Sequence, residues 1–192
     1  MFDKIVGAFT FRAGVYKEVE EDSAFTPTAW MIVAAVAFLS ALGACAVVLR
    51  SSGAGRWIIG SIGSAIFAVL GFALACFVVD WVGRTFFNAE VNFEEVVRTL
   101  GLAYVWNIVG FLGILSVSPV LGFTTGIFRF VGAVAGFAAW LIAAKEALDL
   151  EWPQTIGTII IGWVVTAIVT AVAGLILGGL GLAGATTIGL FH

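Results

Sequence analysis

Five stretches of this chain, Thr28 to Leu49, Trp57 to Val79, Gly101 to Val117, Phe123 to Ala144 and Thr155 to Leu177, hold a single charged side chain between them, Arg129. The hydrocarbon core of a bilayer is about 30 Å thick and is crossed by about 20 mostly apolar residues in an α-helix, so each stretch has roughly the length of one crossing. No run alternates apolar and polar residues as the strands of a membrane barrel do. Helices are then the remaining way to satisfy every backbone hydrogen bond in lipid. A chain that is 61% hydrophobic and 11% charged, with a mean hydropathy of +1.13, also lies outside the range of soluble domains. The pattern predicts an all-α polytopic membrane protein, a bundle of five transmembrane helices forming one domain over residues 1–192.

The first stretch is too long for the core of a cleaved signal peptide, and an acidic run, Glu18, Glu20, Glu21 and Asp22, stands where a signal peptide carries basic residues. Residues 1–27 are therefore read as a retained cytoplasmic and interfacial N-terminus. Within it Phe2, Ile5, Val6 and Phe9 recur at helical spacing, which predicts an amphipathic helix lying on the membrane surface. Trp30, Trp57, Trp81 and Trp152 fall at predicted span ends, where an indole keeps its body in lipid and its N–H among the headgroups.

Five crossings place Lys4, Arg12, Lys17, Arg84, Arg98 and Lys145 on one side and Arg50, Arg56 and Arg129 on the other. Basic residues are retained on the cytoplasmic side, so the N-terminus is expected there and the C-terminus outside. All twelve acidic residues fall on that same side, which carries six basic residues against them, a net of minus six. Two readings of such a face stand open: acids that keep it soluble and off anionic lipid, or a docking surface for a basic protein segment or a divalent cation.

One polar segment interrupts the apolar pattern, FNAEVNFEEVVRTLGLAYVW at Phe87 to Trp106. Asn92 followed three residues later by Glu95 is a capping-box spacing, with Val91 and Val96 set as its hydrophobic staple, so a helix is expected to begin at Phe93. At 100° per residue Phe93, Val97, Leu100, Tyr104, Asn107 and Phe111 share one direction, predicting a packed seam that runs unbroken into the bundle. Glu94, Glu95 and Arg98 point away from it, with Glu94 and Arg98 at ion-pair spacing, as are Lys145 and Asp149. Tyr104 and Asn107 form a polar pair on the seam, read as interhelical hydrogen-bond donors. Close helix approach is expected at Gly60 and Gly63, at Gly110 and Gly113, and at Gly132 and Gly136.

Chemistry is thinly represented. Ionisable groups of the kind that relay protons or bind ions are sparse in the spans; the candidates, Asp80 and Arg129, lie near opposite ends and can both snorkel. Cys45 and Cys76 sit at different depths, too far apart to bridge, and His192 is the lone histidine, so no Cys/His metal site is expected. Neither a nucleophile elbow nor a phosphate loop nor a basic nucleic-acid stripe occurs. The chain is read as non-enzymatic, with no cofactor and no nucleic-acid partner.

Three segments together resemble a known family: FRAGVYKEVEEDSAFTPTAWMIVAAVAFLSALG from Phe11 to Gly43, FEEVVRTLGLAYVWNIVGFLGIL from Phe93 to Leu115, and FAAWLIAAKEALDLEWPQTIGTIIIGW from Phe137 to Trp163. They look like the Yip family, with an amphipathic entry into the third span and a tryptophan followed by a Lys/Glu-Ala-Leu ending to the fourth. The resemblance covers most of the chain. It implies five spans and a cytoplasmic N-terminus in a protein of membrane organisation or trafficking; eukaryotic members bind prenylated Rab-type GTPases and shape organelles. This chain has neither their long polar N-terminal region nor an Asp-Leu-Tyr-Gly-Pro type stretch, and looks like the prokaryotic type, expected in the plasma membrane. Glu94, Glu95, Arg98, Lys145 and Glu146 match the family's charged cytoplasmic positions.

Two functions follow as expectations. One is a scaffold that recruits a partner with a basic surface through Glu90, Glu94, Glu95, Arg98, Lys145, Glu146, Asp149 and Glu151. The other is a small homo-oligomeric channel or transporter for ions or small solutes, with a pathway past Tyr104 and Asn107.

Overall fold

The computed structural model describes residues 2–118, 121–162, 164 and 168, and no strand occurs among them. The helices are α1 (Phe2–Phe9), α2 (Ala13–Glu21), α3 (Thr26–Ala44), α4 (Ala46–Phe87), α5 (Phe93–Ala103) and α6 (Gly122–Leu148). A short 3-10 turn, Ser23–Phe25, precedes α3, and a long 3-10 segment, Tyr104–Val117, continues α5. Four of these units are long and apolar enough to cross a bilayer: Ser23–Ala44, Ala46–Phe87, Phe93–Val117 and Thr124–Leu148. The protein is an all-α, multi-pass membrane protein. The fifth predicted span, Thr155 to Leu177, opens within a helix over residues 152–162; most of it, and the glycine-rich tail after it, lies outside the described residues.

Successive crossings alternate in direction, so one end of the bundle collects α1, α2, the α4–α5 connection and the end of α6. That end holds all twelve acidic residues. The opposite end holds the α3–α4 junction and the turn between the 3-10 segment and α6.

The sequence pattern places the first span at Thr28 to Leu49, but α3 starts two residues earlier, with Pro27 in its first turn, and stops at Ala44. A proline there loses no bond, because the first N–H groups of a helix have no intrahelical partner. Cys45 closes α3 by donating its N–H to the Ala41 carbonyl, and the chain re-enters helix at once. Gly53 then interrupts α4 with φ 83° and ψ 170°, a conformation that side-chain-bearing residues rarely adopt. Just beyond it, Trp57 Nε1 donates 2.9 Å to the Leu42 carbonyl, covering an orphan acceptor near the end of α3. The predicted boundary tryptophan is thus also a tie between two helices. At the other end α4 terminates on Asn88 in the left-handed region (φ 54°), whose N–H donates to the Gly83 carbonyl.

Asn92 begins α5 as its spacing predicts. Its side chain accepts from the Glu95 N–H at 3.1 Å, while the Glu95 carboxylate accepts from the Asn92 N–H at 2.9 Å. Val91 and Val96 are both buried in the core.

The helix is not uniform, however: at Tyr104 it tightens to a 3-10 geometry that lasts fourteen residues. Such runs are uncommon because their hydrogen bonds are poorer. The neighbourhood supplies a reason. A β-carbon on Gly43 would collide with the Gly110 carbonyl, one on Gly110 with Ser40 Oγ, and one on Gly113 with the Gly43 backbone. The thinner 3-10 coil lets two backbones run in contact, and in lipid such close van der Waals packing is what holds helices together. On the other flank Gly132 of α6 receives Val109. Gly110, Gly113 and Gly132 thus make the expected approaches, and Gly136 of the last pair contacts Trp106. Gly60 and Gly63 do not: a β-carbon at either meets nothing within 4 Å among the described residues.

The core lies between α3, α4, α5 and α6. Val33, Val36, Phe72, Val79, Leu100, Leu102, Ala139 and Ala143 fill it, and the edge-to-face rings Trp30–Phe72 (5.7 Å) and Phe72–Tyr104 (5.3 Å) cross its middle. Cys45 and Cys76 are buried free thiols.

Candidate functional site

The charged end is the part of the molecule with chemistry to offer, and it is built around Arg98. From its place on the first turns of α5 the side chain was expected to face solvent beside Glu94. It is instead only 5% exposed. The guanidinium donates from Nε to the Val19 and Glu20 carbonyls at 3.0 Å each and from Nη1 to Thr26 Oγ1 at 3.2 Å, and Nη2 also reaches the Glu20 carbonyl. These acceptors close the C-terminal turn of α2, whose last carbonyls have no intrahelical partner and favour a cation. Glu94 and Glu95 lie at the edge of reach, 3.9 and 4.0 Å from the guanidinium. Arg98 is therefore a pin joining α2, α3 and α5 and does not belong to an outward docking set.

A second tie holds α2 to α6. Lys17 Nζ lies 3.1 Å from Glu20 and donates to Asp149 at 2.9 Å. The hydrogen bond to Asp149 leads the causes that push the Lys17 ammonium upward in pKa. Glu20 is pushed up too, chiefly by burial, with Lys17 working against the shift. The sequence-based pairing of Asp149 with Lys145 is thus replaced. Asp149 takes a left-handed backbone (φ 47°) just past α6, which turns it away from its own helix. Lys145 lies 5.6 Å over the Trp152 ring, at the side of an open depression lined with Asp149, Leu150, Glu151 and Pro153.

Two further pairs finish the set. Lys4 meets Asp22 at 3.0 Å, and this contact holds the Asp22 carboxyl below its usual range. Arg84 meets Asp80 at 2.6 Å, with Asp80 1% exposed. Asp80 thus has a partner instead of being free to snorkel, and the four-residue spacing of Asp80 and Arg84 is the signal in the sequence that could have found it. Nothing in the sequence pointed from Arg98 to carbonyls 78 and 79 residues away.

The consequence is an asymmetry. Lys4, Lys17, Arg84 and Arg98 are engaged with groups of the protein itself. Glu90, Glu94 and Glu151 stand exposed, as do Asp3, Glu18 and Glu21, and Glu146 is half-buried on α6. The polar pair of the third crossing differs in burial: Tyr104 packs against Phe72, whereas Asn107 is exposed. Compared with protein-family models, curated proteins and solved structures, the chain matches none.

Proposed function

We propose that this chain is a non-enzymatic membrane scaffold of the Yip type, with its charged end in the cytoplasm of a prokaryotic cell, that recruits a protein partner carrying a basic segment. The observation behind this reading is the division of labour among charges. Lys4, Lys17, Arg84 and Arg98 are each paired with a group of the protein itself, while Glu90, Glu94 and Glu151 project outward. A surface so arranged presents its acidic field to solvent, which steers a basic partner and discourages anionic headgroups.

A photoreactive residue in place of Glu94, activated in living cells, tests it. Repeated attachment to one protein with a basic segment, lost when Glu90 and Glu151 are both changed to Lys, supports recruitment. Attachment only to lipid or to further copies of this chain refutes it. The channel reading receives less support, since Tyr104 is packed against Phe72 while Asn107 is exposed; solute flux through liposomes holding the purified protein would restore it.

A further inference from the structure

The first two helices form an antiparallel hairpin whose depth can be read from its contacts. Lys4 near its start pairs with Asp22 and lies 4.9 Å over the Phe25 ring, at the level where α3 begins. Midway, Gly7 leaves room for Val15 to pack against α1. At the tip, the Ala8 carbonyl accepts from Trp106 Nε1 at 3.2 Å, and Phe9 and Phe11 both lie 5.1 Å from the Trp106 ring. The other arm returns to Arg98 through Val19 and Glu20. From Arg98 to Trp106 the chain rises about 13 Å along its axis, at about 1.5 Å per α-helical and 2.0 Å per 3-10 residue. Between those levels the last charge of the third crossing is left behind. At the level of the tip, Trp106 touches Gly136 of α6, beside the outward-facing Val134 and Phe137.

We infer that α1 and α2 are a re-entrant wedge inserted into one leaflet, with acyl chains as the ligand of its outer face. Phe2, Val6 and Phe11 are exposed there, Phe2 at 79%. The Val6, Gly7 and Ala8 carbonyls at the tip find partners within the protein, as lipid favours. The Val6 and Gly7 carbonyls both accept from the Thr10 N–H and hydroxyl, the Gly7 carbonyl also from the Arg12 N–H, and the Ala8 carbonyl from Phe11 and Trp106. The one charge near the tip, Arg12, carries its guanidinium back along the hairpin to Gly7, toward the charged end.

Nitroxide labels report depth through their collisions with oxygen, which concentrates in lipid, and with a water-soluble nickel chelate. In a background with Cys45→Ala and Cys76→Ala, labels enter at Val6 and at Gly14, an exposed position near the tip where a β-carbon meets nothing within 4 Å. References are Val134 on the lipid-facing side of α6 and Glu21 at the hairpin's open end. In liposomes the oxygen-to-nickel ratio at Val6 and Gly14 is expected to approach that at Val134 and to exceed that at Glu21 several-fold. Ratios at both sites equal to that at Glu21 overturn the wedge, and the two sites guard against one label disturbing the fold.

Discussion

Among single residues, Arg98 and Tyr16 make opposite predictions from the same fact, burial. Arg98 meets carbonyls that have no other acceptor role in their helix, so Arg98→Met leaves buried polar groups unpaired. It is expected to lower the unfolding free energy of the purified protein in mixed micelles by about 2–3 kcal/mol, the range for removing one partner of a buried charged hydrogen bond. Arg98→Lys should recover only part of this, because an ammonium holds its donors on one nitrogen and cannot span acceptors that the planar guanidinium reaches from separate nitrogens. Tyr16 is fully buried with its hydroxyl unpaired among the described residues, and desolvation drives its ionisation well up in pH. Tyr16→Phe is expected to stabilise by about 1 kcal/mol; a loss of stability in the same unfolding assay would mean the hydroxyl has a partner. Asn92→Ala removes a cap whose worth is about 1 kcal/mol. That cap was legible from four residues of sequence, since both partners sit within one turn. The Arg98 pin was not, since its acceptors are backbone atoms whose position depends on the whole N-terminal fold.

The hairpin and the third crossing carry the predictions that belong to elements. Lys17 and Tyr16 both keep their protons in the folded state beyond the ordinary range, Lys17 through Asp149 and Tyr16 through burial. A raised pKa contributes stability that is complete below the unfolded-state value and is lost as pH climbs past it. Above about pH 10, where free tyrosine and lysine begin to lose protons, the attachment of α2 is expected to weaken. A label on Gly14 should then gain mobility, and Lys17→Met together with Tyr16→Phe should flatten that response. In the third crossing, Gly110→Ala sets a β-carbon against Ser40 and should separate α3 from the 3-10 segment, with loss of about 1–3 kcal/mol by overpacking. Gly60→Ala, facing open space, is expected to change little. The spans themselves were readable from hydropathy because lipid imposes one composition on every crossing. The 3-10 winding was not, because it depends on Gly43 meeting Gly110 across two helices.

At the scale of the molecule, the bundle's two ends differ in kind, and their placement across the membrane decides whether the acidic face can meet cytoplasmic partners. Basic residues direct topology while the chain inserts, before any folded contact exists, so the later capture of Lys17, Arg84 and Arg98 by internal partners does not cancel their influence. Six basic residues at the charged end against three at the other are the ground for expecting that end in the cytoplasm. Glu90 and Ser51 are exposed near opposite ends of α4, and the two native cysteines are buried, so single cysteines at those positions report orientation cleanly. In intact cells a membrane-impermeant maleimide is expected to label Ser51→Cys at once and Glu90→Cys only after the membrane is opened. The reverse result would place the acidic face outside, where it would meet no cytoplasmic partner. It would also move the wedge of α1 and α2 to the outer leaflet, without altering its depth. The two readings can therefore fail separately: orientation governs which partners the face can reach, whereas the contacts of Trp106 and Arg98 fix how far the hairpin enters.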